Sequence, residues 1–196
     1  MKIITIKGFT VLLLALGLGA CASTEPTRFY ALSAETPAAS PSTTPRTIVG
    51  VGPIEVAPYL ERGQIVTRDS RNRLSLAEFD QWAEPIETNI SNVIAANLDT
   101  QLPTIQAIVR PWPDADAEYT VVVKFSRFDA DKEGNVLLAA DWGIQNRREQ
   151  SIPVIRDSRI RLTGQGSDYT AIAASMSTAL ATLSQEIATE LDRLLP

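Results

Sequence analysis

Histidine is absent from the 196 residues, and cysteine occurs once, at position 21. Without histidine the chain has no imidazole general base, proton shuttle or metal ligand, so any catalysis would rest on carboxylates, hydroxyls or lysine. A single cysteine forms no intramolecular disulfide and assembles no thiolate zinc site. Positive charge is also scarce: 18 Lys and Arg stand against 23 Asp and Glu, a formal net charge of −5 with a pI near 4.8. Nucleic acid is excluded as a partner, because phosphate neutralisation requires clustered basic residues. The apolar stretch from Phe9 to Leu18 falls short of the roughly 20 residues that span a bilayer as a helix.

That stretch belongs instead to a secretory signal. Lys2 and Lys7 supply its positive charges, Phe9 to Leu18 its apolar segment, and Gly19-Ala20 the small residues before a cleavage site. The junction Leu18-Gly19-Ala20-Cys21 resembles the bacterial lipobox, in which the cysteine thiol receives a diacylglycerol before the signal peptidase cuts. The resemblance implies lipid attachment at Cys21. Ala22 and Ser23 follow where the sorting rule would place an Asp for inner-membrane retention, which implies transfer to the outer membrane. Two or three acyl chains hold firmly where one is marginal, each buried methylene contributing about 0.8 kcal/mol.

The chain then divides into a signal peptide at 1–20, a lipidated tether at 21–28 and one periplasmic domain at 29–196. Roughly 175 residues after cleavage suit a single core. An extended tether from Cys21 to Thr27 would reach about 20 to 25 Å from the bilayer. Thr36 to Pro45 (TPAASPSTTP) has no apolar periodicity and reads as a loop.

Strands are expected at Phe29–Leu32, at Ile48–Val56 with a break at Gly52-Pro53, and at Gln64–Arg68 paired with Arg71–Leu76 as a hairpin. Between Ala77 and Leu102 the period becomes three to four: Trp82, Ile86, Ile90, Val93 or Ile94, Asn97 or Leu98 and Leu102 lie on one helical face. Pro85 fits the first turn, which puts the helix start near Ala83 or Glu84, and Pro103 ends it. Tyr119–Phe125 and Val136–Ile144 flank the turn Asp131–Asn135, and Ile152–Leu162 makes a third consecutive antiparallel strand. After Gly164-Gln165-Gly166, Ser167 or Asp168 caps a last helix whose face runs Tyr169, Ile172, Met176, Leu180, Leu183, Ile187, Leu191 and Leu194. The expected class is α+β: a two-layer domain with a largely antiparallel sheet and two long amphipathic helices packed on one face.

Several blocks in this order resemble a known family: Phe29-Tyr30-Ala31-Leu32, Val51 to Arg62, Gln64 to Arg68, and above all Trp82-Ala83-Glu84-Pro85 opening a helix that ends Ala96-Asn97-Leu98. They are similar to the PqiC/YmbA lipoproteins, auxiliary components of MCE-type, ABC-linked intermembrane transport systems. Phe29 and Ala31 stand where the family often has Tyr and Leu, and the proline-rich insert is longer than usual. The resemblance implies a non-catalytic adaptor at the outer membrane, docked to an MCE-domain protein, that supports lipid passage and envelope integrity. It implies no cofactor and no metal. Several copies in a ring around an oligomeric partner are a further expectation. The alternative is a free-standing envelope lipoprotein that binds lipid or peptidoglycan, or an outer-membrane assembly factor.

Candidate partner-binding residues are Tyr59, Leu60 and Arg62 in a loop, with Trp82 and Glu84 at a helix start. Each has a structural reading beside the functional one. Trp82 packs in a core, Glu84 favours the positive helix end, and Tyr59 anchors its loop. Trp112 lies between prolines and Trp142 in an apolar strand. The run Arg147-Arg148-Glu149 with Arg156, Arg159 and Arg161 places positive charge on a sheet edge, where charge discourages strand pairing or meets lipid head groups or an acidic partner. Gly164-Gln165-Gly166-Ser167 fits neither a nucleophile elbow nor a phosphate loop. Asp114, Asp116, Glu118, Asp129 and Asp131 could offer carboxylates for hydrolysis or for calcium, but they lack the regular ligand spacing of a calcium loop.

Overall fold

The computed structural model describes residues 25–34, 46–109, 111 and 117–195. The signal peptide, Cys21, the Thr36–Pro45 loop, Trp112, Asp114 and Asp116 lie outside the described residues. The elements are β1 (Arg28–Tyr30), β2 (Thr47–Glu55), a turn of 3-10 helix (Pro58–Leu60), β3 (Gln64–Ser70), β4 (Arg73–Trp82), α1 (Ile86–Gln101), β5 (Ile105–Val109), β6 (Tyr119–Asp131), β7 (Val136–Asn146), β8 (Ser151–Leu162) and α2 (Tyr169–Leu194).

Strand β6 is the spine of one eight-stranded sheet. Strand β7 pairs along one of its edges, and β8 pairs outside β7, both antiparallel. The other edge of β6 is shared end to end. Strand β2 lies parallel to its N-terminal half, and β3 joins parallel at Ala130 and Asp131. Strand β5 extends the β2 side in parallel, while β4 pairs antiparallel with β3 and β1 parallel with β4. The fold is therefore α+β as expected, with its longest ladders antiparallel and a mixed sheet overall.

Both helices cover one face. Helix α1 packs on β2, β5 and α2, and α2 packs on β6, β7 and β8. The inward strand residues Val49, Val51, Val121, Val123, Phe125, Trp142, Ile144 and Ile160 form one buried cluster with Ile90, Leu98, Met176, Leu180, Leu183 and Ile187. Each large apolar side chain so buried contributes roughly 1.5–3 kcal/mol before entropy is counted. One polar bond crosses the helix pair, Asn97 Nδ2 donating to Ser184 Oγ at 3.3 Å.

Local chemistry explains the boundaries. The Asp168 carboxylate caps α2 by accepting from the Ala171 N–H at 3.0 Å. In the β6–β7 turn the Asp131 carboxylate accepts from the backbone N–H groups of Glu133 and Asn135 and from Asn135 Nδ2. Burial pushes this carboxyl up, but those hydrogen bonds outweigh it and hold Asp131 below the usual carboxylate range. Gly134 has φ 85°, and a Cβ there would stand 1.9 Å from the Gly166 carbonyl oxygen, so only glycine fits. The expected break in β2 is a register shift between Val51 and Ile54, with Gly52 at φ 115°.

Two expectations are corrected. Ala77–Trp82 is strand, not the approach to a helix, because β3 and β1 both pair with it, Gln64 opposite Gln81 and Arg28–Tyr30 opposite Asp80–Trp82. Pro85 is the extended residue that precedes α1, with φ −52° and ψ 130°, so the helix starts at Ile86. Strand β5 was not anticipated at all, since five residues after Pro103 carry too short a pattern to register.

Candidate functional site

The two segments singled out from the sequence are neighbours: the Trp82 N–H donates to the Gly63 carbonyl at 2.7 Å. Trp82 itself is 7% exposed and faces the core, Glu84 is half-buried, and Leu60 is buried. Tyr59 rests on a polar cluster over the sheet face away from the helices. Its hydroxyl donates to Asp129 Oδ2 at 2.8 Å and accepts from the Phe128 N–H at 3.3 Å. Arg68 Nη2 and Arg127 Nε reach the same carboxylate at 2.8 and 2.9 Å, and the Arg68 guanidinium lies 5.7 Å from the Tyr59 ring centroid. Asp129 is 0% exposed. Burial, then the bond to Asp129, pushes the Tyr59 phenol up to about 12, so it stays a donor. Tyr59 is thus half-buried and Leu60 and Trp82 are buried, while Arg62 projects into solvent.

The outer sheet face carries a second feature, one that sequence reading missed. Side chains alternate across a strand, so Val122, Gly143 and Ile155, mutual register partners on β6, β7 and β8, share this face. They floor and flank a groove of about 340 Å³ walled by Pro53 and Ile152. Ile155 is 67% and Ile152 53% exposed. Gly143 makes the floor: a Cβ there would meet the Val154 carbonyl oxygen at 2.9 Å. Lys124 and Glu55, 3.5 Å apart, and Asp141 rim the groove. Its chemistry is apolar contact bounded by charge, which suits side chains of a partner. The missed signal was a pair of isoleucines three apart around Pro153, next to a strand glycine.

Strand β8 is an edge strand, and of the arginines expected on a sheet edge Arg156, Arg159 and Arg161 lie on it, whereas Arg147 and Arg148 lie in the turn before it. Arg156 turns to the helix side and pairs with Glu190 at 3.4 Å. Arg159 and Arg161 lie opposite Ala139 and Leu137, on the same face as Ile155. Trp142 is core: its Nε1 donates to Ser158 Oγ at 2.8 Å, and Ser158 in turn donates to Glu186 of α2. The described carboxylates raised as hydrolytic or calcium candidates have structural bonds. Glu118 pairs with Arg148, Asp129 holds its cluster and Asp131 its turn.

At the far edge, Asp80 binds the first strand. Arg28 Nε and Nη2 donate to it at 2.7 and 2.9 Å and the Tyr30 hydroxyl at 2.7 Å. The Arg28 hydrogen bonds hold the Asp80 carboxyl below its usual range; burial opposes this and the Tyr30 bond adds to it.

Comparison with known proteins agrees with this architecture. The intermembrane transport lipoprotein PqiC of Escherichia coli is 28% identical over 138 residues, covering 69% of this chain and 73% of the relative. The crystal structure of an uncharacterized protein superposes with a TM-score of 0.69 at 22% identity, over 85% of this chain and 99% of the other. A crystal structure of a Xanthomonas campestris protein superposes with a TM-score of 0.66 at 17% identity, over 86% of this chain and all of the other (100%). These two likenesses establish the fold. Residues 30–188, which run from β1 into α2, match the family described as ABC-type transport auxiliary lipoprotein component, and this protein belongs to that family.

Proposed function

We propose that the chain is an outer-membrane lipoprotein facing the periplasm, a non-catalytic adaptor that docks the MCE-domain protein of an intermembrane lipid transport system and so supports envelope integrity. Family membership supports the transport role, and the likeness to PqiC supports its intermembrane setting. In this reading residues 1–20 are the signal peptide, Cys21 carries the lipid, 21–28 form the tether and 29–196 the periplasmic domain. The observation that carries docking is the outer-face groove, with Ile152 and Ile155 exposed at its side and Arg62 free on the turn that covers the same face. The candidate partner contacts Tyr59, Leu60, Arg62, Trp82 and Glu84 gather around Gly63, whose carbonyl accepts from the Trp82 N–H, and Arg62 is the most exposed of them. Several copies around one oligomeric partner would present this face repeatedly.

The test is recovery of the lipidated protein from gently solubilised envelopes, with mass spectrometry of its N-terminus and of co-purifying proteins. An acylated Cys21 together with an MCE-domain protein is expected, and Ile152→Asp with Ile155→Asp should release that partner. A lipidated chain that recovers no MCE-domain protein refutes the adaptor role.

A further inference from the structure

Phe29 is 65% exposed, and its neighbours hold it there. Arg28 and Tyr30, on the other side of β1, are both bonded to Asp80, so the strand cannot turn the ring inward without breaking those bonds. Behind Phe29 the chain is pinned across the helices. Leu32 N–H donates to Asn89 Oδ1 of α1 at 2.6 Å, and Ser33 N–H to Ser177 Oγ of α2 at 3.1 Å. Between this segment and α2 opens a cleft of about 620 Å³, bordered by Phe29, Ala31, Ala34, Thr170, Ala174 and Thr178. From Tyr169 to Gln185 helix α2 has no ionisable side chain other than Tyr169, and its solvent-facing stripe is Thr170, Ala174, Thr178 and Thr182.

We infer that the β1 edge of the sheet, with the cleft between it and α2, lies against the lipid surface of the membrane that holds Cys21, with the Phe29 ring at headgroup level. The inference rests on lipid attachment at Cys21. Glu25 is four residues from Cys21 and Phe29 eight, so even a fully extended tether spans at most about 14 Å and 29 Å. Among the described residues the exposed large hydrophobics are Phe29, Leu76, Ile152 and Ile155, and of these only Phe29 is so close along the chain to that anchor. An aromatic ring is at home at a bilayer interface. The stripe on α2 brings no charge that would lose water on approach. Ile155 lies across the sheet, five strand spacings away at roughly 4.8 Å each, and serves as the reference site.

The experiment uses the full lipidated protein in phosphatidylethanolamine and phosphatidylglycerol vesicles, with a nitroxide on Phe29→Cys or on Ile155→Cys. Cys21 is the sole native cysteine, so once it is in thioether linkage the parent protein takes up no label. Flotation with the vesicles, an unlabelled parent, and a ratio of oxygen to water-soluble nickel collisions several-fold higher at 29 than at 155 are the expected results. Equal ratios at the two sites in a floating protein overturn the membrane-facing assignment and leave the anchor standing. Shielding of site 29 from both agents, with dipolar broadening between labels, makes the face a contact between copies and also overturns it. A protein that takes up label at Cys21 and fails to float overturns the anchor, and this inference with it.

Discussion

Asp129→Asn tests how the outer-face corner is held. The carboxylate is fully buried and accepts from Arg68, Arg127 and Tyr59, while the side chains of Arg68 and Arg127 are 17% and 33% exposed. Removing one member of a buried ion pair costs about 3–5 kcal/mol, because the remaining charge loses its counter-ion. Both arginines keep some water, which places the expected loss near the lower limit, about 3 kcal/mol. For a domain of this size that lowers Tm by roughly 6–12 °C. Tyr59→Phe deletes one donor and leaves the Phe128 N–H without its acceptor, for a loss of about 1–2 kcal/mol. Since both variants act on one network, the double variant should lose less than the sum. Urea unfolding of the soluble chain without residues 1–21 measures all three, and the loss should persist in 1 M salt, where exposed pairs are screened. An Asp129→Asn loss under about 0.5 kcal/mol, or strict additivity, refutes this account.

Asp80→Asn should narrow its stability deficit in acid. The folded carboxyl titrates below its usual value, so its contribution is present above about pH 3.9 and fades as pH falls through the folded value. Urea midpoints at pH 7 and pH 3 give the comparison, and an unchanged gap contradicts it. Gly134→Ala should cost well over 1 kcal/mol, whereas Gly63→Ala, whose Cβ meets nothing nearer than Gln81 Oε1 at 3.6 Å, should cost far less; thermal melts rank the two. Cys21→Ala should leave a soluble or misplaced precursor, and finding a processed, membrane-retained form would contradict lipid attachment.

The parts legible in the sequence were those whose information is local. The Asp168 cap and the three-to-four spacing from Ile172 to Leu191 announce α2, and Asp131 to Asn135 announces the β6–β7 turn. Tertiary pairing overrode local pattern at Ala77–Trp82, where two neighbouring strands pair with the segment and Trp82 falls on the helical spacing of α1 only by coincidence of number. The parallel pairings of β2 with β5 and β6 join residues far apart in the chain, and no turn marks them. The groove was invisible for the same reason: Val122, Gly143 and Ile155 become one row only after three strands are in register. Tyr59 and Trp82 stood out by residue type, but their partners, Asp129 and the Gly63 carbonyl, emerge only from the fold.

The shared edge of β6 also bears on the order in which this chain gains structure. A polypeptide threaded across a membrane N-terminus first delivers β2 and the β3–β4 hairpin long before residue 119, where their common partner begins. Until then those strands have only β5, β1 and one another to pair with, and their unsatisfied backbone groups are templates for aggregation. Folding with this much non-local pairing is slow, and in the proposed export route that would keep the chain extended and threadable. The same delay leaves the pairing edges of β2 and β3 open until β6 arrives.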